Sequence, residues 1–155
     1  MYAFARAAER SAQRVLADYD ALWRWSTAEP ERFWNLVWDF CAVRGERGER
    51  TLVDRDRMPG AAWFPDAKLN LAENLLRDDF DDGSDALVFW GENRVKRRMS
   101  RGELRRHVAV VAAALRAGGV GPGDCIAAFM PNMPETLVAM LAATSATMKR
   151  AKGVT

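Results

Sequence analysis

The sequence has few of the residues from which catalytic and metal sites are built. Its 155 residues include one histidine and two cysteines. Cys41 and Cys125 lie far apart along the chain and match no metal-ligand spacing, so they do not indicate a metal centre. Two states remain open for them, one disulfide or two buried thiols, and we expect thiols, as is usual in the cytosol.

An excess of either charge is missing as well. The 23 Lys and Arg residues nearly balance the 21 Asp and Glu residues, which leaves a net charge of +2. That value is too close to neutral to indicate a nucleic-acid or acidic-membrane partner. No apolar run approaches the ~20 residues that span a bilayer, and the first six residues lack the apolar core of a secretory signal. We therefore expect a cytoplasmic protein.

The common phosphate-binding loops are absent. The glycine cluster at Gly118–Gly123 lacks the spacing of a dinucleotide-binding loop, and no P-loop pattern occurs in the chain. The cluster also joins a predicted helix to a predicted strand, whereas phosphate-binding loops run from a strand into a helix. We interpret it as a helix stop followed by a tight turn.

The first half of the chain is rich in tryptophan and helical in pattern. Apolar residues recur at helical spacing through residues 1–25, which predicts one or two helices there. Ser26–Glu29 has the pattern of a capping box, and Pro30 suits a first turn, so a further helix is predicted to about Val43. Its apolar stripe is wide enough to pack on two sides. We expect the four tryptophans of this half to pack, although stacking on sugars or bases is an alternative; they are Trp23, Trp25, Trp34 and Trp38.

The middle of the chain is less regular. A glycine-bearing connector covers residues 44–50, and residues 51–65 are irregular. A short helix is predicted around Asn70–Arg77, with a packing face made of Leu71, Leu75 and Leu76. The acidic run after it predicts a turn.

From residue 86 the pattern alternates strand, helix, strand and helix. A hairpin is predicted from residues 86–90 and 94–99, and Ser100–Glu103 is a second capping box that opens a helix ended by Gly118-Gly119. Cys125–Met130 is predicted to be a buried strand, and Asn132 to cap the last helix. The fold class is therefore α/β: a helical N-terminal arm, then the first strands and helices of an incomplete parallel or mixed sheet.

Three further features suggest chemistry without establishing it. The Pro131–Glu135 stretch follows a strand and opens a helix, where an anion would bind, but Glu135 would oppose it. His107 has no partner at a recognisable spacing, so we expect a surface or partly buried histidine. A basic set could contact phosphate, but we expect a solvated face; its members are Arg94, Lys96, Arg97, Arg98, Arg101, Arg105 and Arg106.

Four blocks of sequence carry a resemblance to a known family. They are YDALWRWS at residues 19–26, FWNLVWDF at 33–40, MPGAAWFP at 58–65 and LNLAENLL at 69–76. With the stretches at 119–124 and 131–135, they resemble acyl-CoA synthetases of the adenylate-forming superfamily and, more narrowly, the acetoacetyl-CoA synthetase family. The resemblance covers residues 15–145. It implies an N-terminal helical region over residues 1–77, an incomplete start of the AMP-binding α/β domain over 78–145, and a divergent tail over 146–155.

The resemblance also implies a reaction in two halves. ATP adenylates acetoacetate with loss of pyrophosphate, and the CoA thiol then displaces AMP, with Mg²⁺ supporting the first half. The family's phosphate loop, acid pocket and C-terminal lysine domain have no counterpart in this sequence. We therefore assign no catalytic, cofactor-binding or metal-binding residue, and expect none of ATP, Mg²⁺ and CoA to be held by this chain.

Two functional hypotheses follow. The first is an inactive N-terminal fragment of an acetoacetyl-CoA synthetase, from a truncated or frameshifted reading frame. The alternative is a standalone, non-catalytic module that docks on a full-length ligase or on another partner. In either case, an unfinished sheet edge predicts self-association.

Overall fold

The computed structural model describes residues 2–92 and 95–147, which form two compact units divided between Lys68 and Leu69. Residues 148–155, which make up most of the tail predicted from the sequence, lie outside the described residues. The sequence boundary predicted at residues 77 and 78 stays a prediction.

The first unit is mainly helical. Its elements are α1 (Tyr2–Ala12), α2 (Tyr19–Ala28), α3 (Pro30–Phe40), β1 (Gly45–Glu46), β2 (Leu52–Val53) and β3 (Ala62–Trp63), with β4 (Lys68–Leu69) at the boundary. Strand β2 pairs with β3 in antiparallel fashion, with Leu52 opposite Trp63. The core of this unit centres on Trp25, which is fully buried beside Ala8 and Leu16.

The capping box predicted at Ser26–Glu29 is wrong. Ser26 lies inside α2, where its hydroxyl donates to the Trp23 carbonyl at 2.8 Å instead of capping a new helix. The cap of α2 is Asp18, whose carboxylate accepts from the Ala21 N–H at 2.8 Å. Helix α3 then begins at Pro30, with no side-chain cap from Glu29. Burial of Trp25 keeps the preceding helix intact past the serine, so the local pattern is overridden.

Helix α3 packs on two sides, as its wide apolar stripe predicts. On one side the Phe33 ring meets the Trp25 ring edge-on at 5.9 Å and the Phe4 ring at 5.8 Å. On the other side, the ring centroids of Trp34 and Trp63 lie 5.8 Å apart. Edge-to-face pairs of this kind stabilise a fold beyond the area that they bury.

The second unit combines a hairpin with three helices among its described residues. Its elements are α4 (Leu71–Leu75), β5 (Asp85–Trp90), β6 (Lys96–Ser100), α5 (Arg101–Ala117) and α6 (Pro134–Thr147). Strands β5 and β6 are antiparallel, with Leu87 opposite Met99 and Trp90 opposite Lys96. Of the predicted hairpin, Asn93 and Arg94 lie outside the described residues. The prediction that this strand is buried is partly wrong, because Val88 and Trp90 of β5 are exposed.

The core of the second unit is formed mainly where α5 packs on α6. The buried residues are Ala72, Met99, Leu104, Val108, Ala112, Val138, Leu141 and Ala142. The α5 stripe predicted from the sequence is confirmed. Helix α6 continues to Thr147, and Ala146 near its end is buried.

The packing face predicted for the short helix α4 is partly wrong. Leu71 and Leu75 are about half exposed, whereas Ala72 is buried and Leu76 packs against the core. The Asn70 side chain caps α4 and accepts from the Ala72 N–H at 2.8 Å. The small Ala72, and not the two predicted leucines, is therefore the buried residue of this five-residue helix.

The predicted buried strand at Cys125–Met130 is also wrong. These residues have no regular structure, and all six are exposed. The described sheets each contain two strands, and the pairs β2–β3 and β5–β6 are antiparallel. The apolar pattern is typical of a buried strand, but the described residues supply no neighbouring strand for it to pair with.

The start of α5 tests the second capping box. The Ser100 hydroxyl accepts from the Glu103 N–H at 3.2 Å, and the Glu103 carboxylate accepts from the Ser100 N–H at 2.8 Å. We expect Ser100→Ala to lower the free energy of unfolding by about 1 kcal/mol, because one N–H of the first turn loses its acceptor. Denaturant unfolding followed by circular dichroism measures this change. Ser100→Thr, which keeps the hydroxyl, should change stability far less, and an equal loss in both variants would contradict the capping role.

Candidate functional site

The described residues hold no concentration of catalytic or metal-binding groups. No group of three or more His, Cys, Asp and Glu side chains comes together in residues 2–92 and 95–147. His107 lies on α5 and is exposed, which agrees with the surface position expected from the sequence. Cys41 and Cys125 are thiols, but both are exposed rather than buried. Cys41 follows the last turn of α3 and Cys125 begins the irregular stretch, so neither reaches a core.

The glycine cluster has the structural role expected of it. Gly118 ends α5, and its N–H donates to the Ala114 carbonyl at 2.9 Å. The Gly121 N–H donates to the Asp124 carboxylate at 2.7 Å, which closes the turn that follows. Gly119, at φ 93°, adopts the left-handed conformation that favours glycine.

The N-terminus of α6 is the one strand-to-helix junction that the sequence offered for anion binding. Met133, rather than the predicted cap Asn132, precedes the first helical residue, Pro134. The Thr136 hydroxyl donates to the Pro131 carbonyl at 2.5 Å, and the Thr136 N–H donates to the Met133 carbonyl at 3.0 Å. These two bonds join the first turn of α6 to the residues just before it.

Glu135 places a negative charge at this end of α6. Its carboxylate accepts from the Arg97 guanidinium of β6 at 2.5 Å, and both side chains are a little over 40% exposed (46% for Arg97 and 42% for Glu135). The hydrogen bond from Arg97 lowers the pKa of Glu135 below its ordinary value of 4.5; its own backbone N–H and the charge of His107 act in the same direction. A carboxylate favours a helix N-terminus for the same reason that an external anion does. The chain thus supplies its own anion at this position.

Four members of the basic set are engaged within the second unit. Arg98 pairs with Asp85 and Arg105 pairs with Asp82, in addition to the Arg97 pair. The Lys96 ammonium lies 4.4 Å from the centre of the Trp90 ring. Arg94 lies outside the described residues. Cations held by carboxylates and a ring do not form the open basic surface that phosphate backbones require.

The first unit has an open groove beside α1 and α2 with a volume of about 580 Å³. Its polar lining includes Arg6 and Glu9, which pair with each other at 3.2 Å. Exposed Tyr2, Val15 and Tyr19 make the rest of the lining largely apolar. An internally paired guanidinium and carboxylate do not form a recognisable catalytic set.

The most unusual surface of the second unit is the stretch Cys125–Met130, which we name the exposed apolar segment. Phe129 is fully exposed, and Ile126 and Met130 are 38% and 39% exposed. Soluble proteins rarely leave contiguous apolar stretches uncovered unless something binds there. Sequence reasoning identified the residues but placed them inside a sheet, because periodicity alone does not show whether a neighbouring strand exists.

Comparisons with known proteins complete the description of the chain. The family profile for the acetyl-coenzyme A synthetase N-terminus matches residues 19–75, and that for AMP-binding enzymes matches residues 80–149. The acetoacetyl-coenzyme A synthetase of Rhizobium meliloti is 53% identical over 132 residues, which cover 85% of this chain and 20% of the relative. The malonamoyl-CoA synthetase of Penicillium aethiopicum is 32% identical over 151 residues, which cover 94% of this chain and 21% of the relative.

A solved structure shows the same relation. The acetoacetyl-CoA synthetase from Streptomyces lividans is similar with a TM-score of 0.77 and 38% sequence identity, covering 94% of this chain and 23% of that one. The chain therefore spans about a fifth of the length of the curated relatives that it matches. The matched part is their N-terminal region. None of the described helices is long and apolar enough to cross a membrane.

The Arg97–Glu135 pair has a measurable consequence. Glu135 has a lower pKa in the folded chain than its ordinary value of 4.5. The pair therefore stabilises the fold fully at a pH above 4.5, and this stabilisation is lost as the pH falls through the lower pKa of the folded chain. We expect Arg97→Ala to raise the pKa of Glu135 towards its ordinary value. An NMR titration of the glutamate side-chain carbons measures this shift. Arg98→Ala, which removes the cation paired with Asp85, is the matched control and should leave Glu135 unchanged; a Glu135 titration unaffected by Arg97→Ala would contradict the pairing.

Proposed function

This chain belongs to the acetoacetyl-CoA synthetase family, whose N-terminal region it matches, and we propose that it supplies the N-terminal part of an ATP-dependent acid–CoA ligase. The observation that carries the proposal is the 53% identity to the Rhizobium meliloti enzyme over 85% of this chain. The Streptomyces lividans structure supports the proposal, because the described fold is similar to that enzyme over 94% of this chain.

The proposed reaction of the complete ligase has two halves. Acetoacetate and ATP give an acyl adenylate and pyrophosphate, and the CoA thiol then attacks the acyl carbon and releases AMP. No group of three or more His, Cys, Asp and Glu side chains that could hold a metal ion occurs among the described residues. We propose that this chain acts as a scaffold within the complete ligase.

The scaffold role fits the contacts of the second unit. The buried faces of α5 and α6 meet through Val108, Ala112, Leu141 and Ala142, and the Arg116 guanidinium donates to the Ser145 carbonyl at 2.8 Å. Two helices fixed in this way form a rigid layer. A rigid layer is what a ligand-binding domain needs beneath its binding loops.

The acid substrate is proposed from relatives and not from a pocket. Two similar relatives are named for different acids, acetoacetate and malonamate, yet both share this region. We infer that other parts of the complete ligase choose the acid. We propose acetoacetate because of the higher identity to the acetoacetyl-CoA synthetase, and a cytoplasmic location because the exposed cysteines are thiols.

The first test uses the chain by itself. We expect the purified 155-residue protein to show no acetoacetate-dependent exchange of pyrophosphate into ATP, because it spans only about a fifth of the length of the ligases that it matches. The assay follows radiolabelled pyrophosphate, with the Rhizobium meliloti enzyme as the positive control. Exchange above the level seen without acetoacetate would show that the chain is active and would overturn the scaffold role.

The second test places the chain in a complete enzyme. In a chimera, residues 15–145 replace the matching region of the Rhizobium meliloti synthetase, and we expect acetoacetate-dependent release of AMP to be retained. The control chimera carries Ala142→Asp, which buries a carboxylate at a position that is 0% exposed and should abolish activity through misfolding. A chimera that is folded by circular dichroism yet inactive would contradict the proposed function.

One observation favours the second candidate function, a non-catalytic interaction module. The exposed apolar segment presents an uncharged surface that a partner would cover. A partner of this kind does not require any ligase chemistry.

A further inference from the structure

The connection between α4 and β5, residues 77–84, is an acidic stretch that lies against the start of α5; we name it the acidic strap. Four of its eight residues are aspartates, and none of the eight is in a helix or a strand. The strap closes on itself at its far end, where the Ser84 hydroxyl donates to the Asp81 carbonyl at 2.7 Å. Its remaining contacts are made mainly with α5.

The strap supplies acceptors for the first two backbone amides of α5. The Arg101 N–H donates to the Ser84 carbonyl at 2.9 Å, and the Gly102 N–H donates to the Asp82 carbonyl at 3.0 Å. The first N–H groups of a helix have no acceptor within the helix, so these bonds depend on the strap alone. The third amide, that of Glu103, is bonded instead to the Ser100 hydroxyl, which does not belong to the strap.

Opposite charges hold the strap to the helix. Arginines in the first turns of a helix are unfavourable, because the helix dipole places positive charge there. The strap offsets this cost, since Asp82 pairs with Arg105 and the Arg77 carbonyl accepts from the same guanidinium at 2.9 Å. The Arg101 side chain also donates from Nε to the Ser84 hydroxyl at 3.1 Å.

The ring of Phe80 attaches the middle of the strap through its electrons as well as its area. The Arg101 guanidinium lies 4.4 Å from the centre of the ring, and that of Arg77 lies 5.6 Å from it. A ring face attracts a cation within about 6 Å. Because the ring is about half exposed, the strap is attached more by charge than by burial.

We propose that the acidic strap is a salt-sensitive conformational device, which detaches from α5 as the ionic strength rises while α5 itself stays folded. Exposed ion pairs and cation–ring contacts each change an equilibrium constant by only about twofold to fivefold, and salt screens them. The body of α5 is held instead by buried apolar residues, among them Val108 and Ala112, whose packing does not depend on charge.

A segment with few buried contacts opens at a lower free energy than the whole fold. Detachment of the strap therefore frees the connection between α4 and the hairpin and leaves the packing of α5 on α6 in place. This inference does not depend on the proposed ligase function.

Amide exchange with solvent, measured by NMR on the full 155-residue chain, tests the proposal. Raising NaCl from about 0.02 M to about 0.5 M shortens the Debye length from roughly 20 Å to roughly 4 Å. We expect the amides of Arg101 and Gly102 to exchange at least about threefold faster at the higher salt. The amides of Glu103 and Ala112 should change far less, because their acceptors lie within α5 and its own cap.

Two results of the salt experiment overturn the proposal. Rates at Arg101 and Gly102 that do not respond to salt mean that charge does not hold the strap. Rates at these two amides that always equal that of Ala112 mean that the strap opens only when the whole unit unfolds. Circular dichroism at both salt concentrations checks that the helices are retained.

A pair of variants tests the part played by Phe80. Phe80→Leu removes the ring but keeps an apolar side chain, and it should speed exchange at Arg101 and Gly102 by about threefold at low salt. Phe80→Tyr keeps the ring and should exchange at the wild-type rate. Equal rates in the two variants would contradict the attachment of the strap by its ring.

Discussion

Every backbone amide and carbonyl of this chain needs a hydrogen-bond partner or water, and the supply of partners decides which elements form. Strands β5 and β6 satisfy each other because they lie close together in sequence and pair in antiparallel fashion. Helices α5 and α6 satisfy themselves internally. The exposed apolar segment has the composition of a strand but no neighbour among the described residues, so it stays irregular. One requirement thus accounts both for what is formed in the second unit and for what is left exposed.

The same requirement explains why the second unit nevertheless has a core. A helix presents its apolar face without depending on distant chain, and α5 and α6 lie close enough in sequence to find each other. Leu141 and Ala142 are almost fully buried against this partner. The described fold is similar to the Streptomyces lividans synthetase over 94% of this chain, which corresponds to 23% of that enzyme.

Sequence patterns predicted the elements that depend on contacts between residues close together in the chain. They failed for elements that depend on contacts with residues far away in the chain. The capping box at Ser100 is confirmed, but the same pattern at Ser26 lies inside a helix, because burial of Trp25 outweighs one cap. The hairpin and the α5 stripe needed only local periodicity. The strand at Cys125–Met130 failed because periodicity records that a segment is apolar and not whether a partner strand exists. The absence of assigned catalytic residues remains a prediction, since no observation tests it.

The N-terminus of α6 shows why this part of the chain does not attract an external anion. A helix N-terminus attracts negative charge, and Glu135 provides it from within the helix, held in place by Arg97. An external phosphate at that end would have to displace a paired carboxylate, which costs the pairing and adds a repulsion. The apolar stretch just before α6, Cys125–Met130, has exposed side chains and no charged residue. Among the described residues, this end of α6 is therefore poorly suited to binding an external anion.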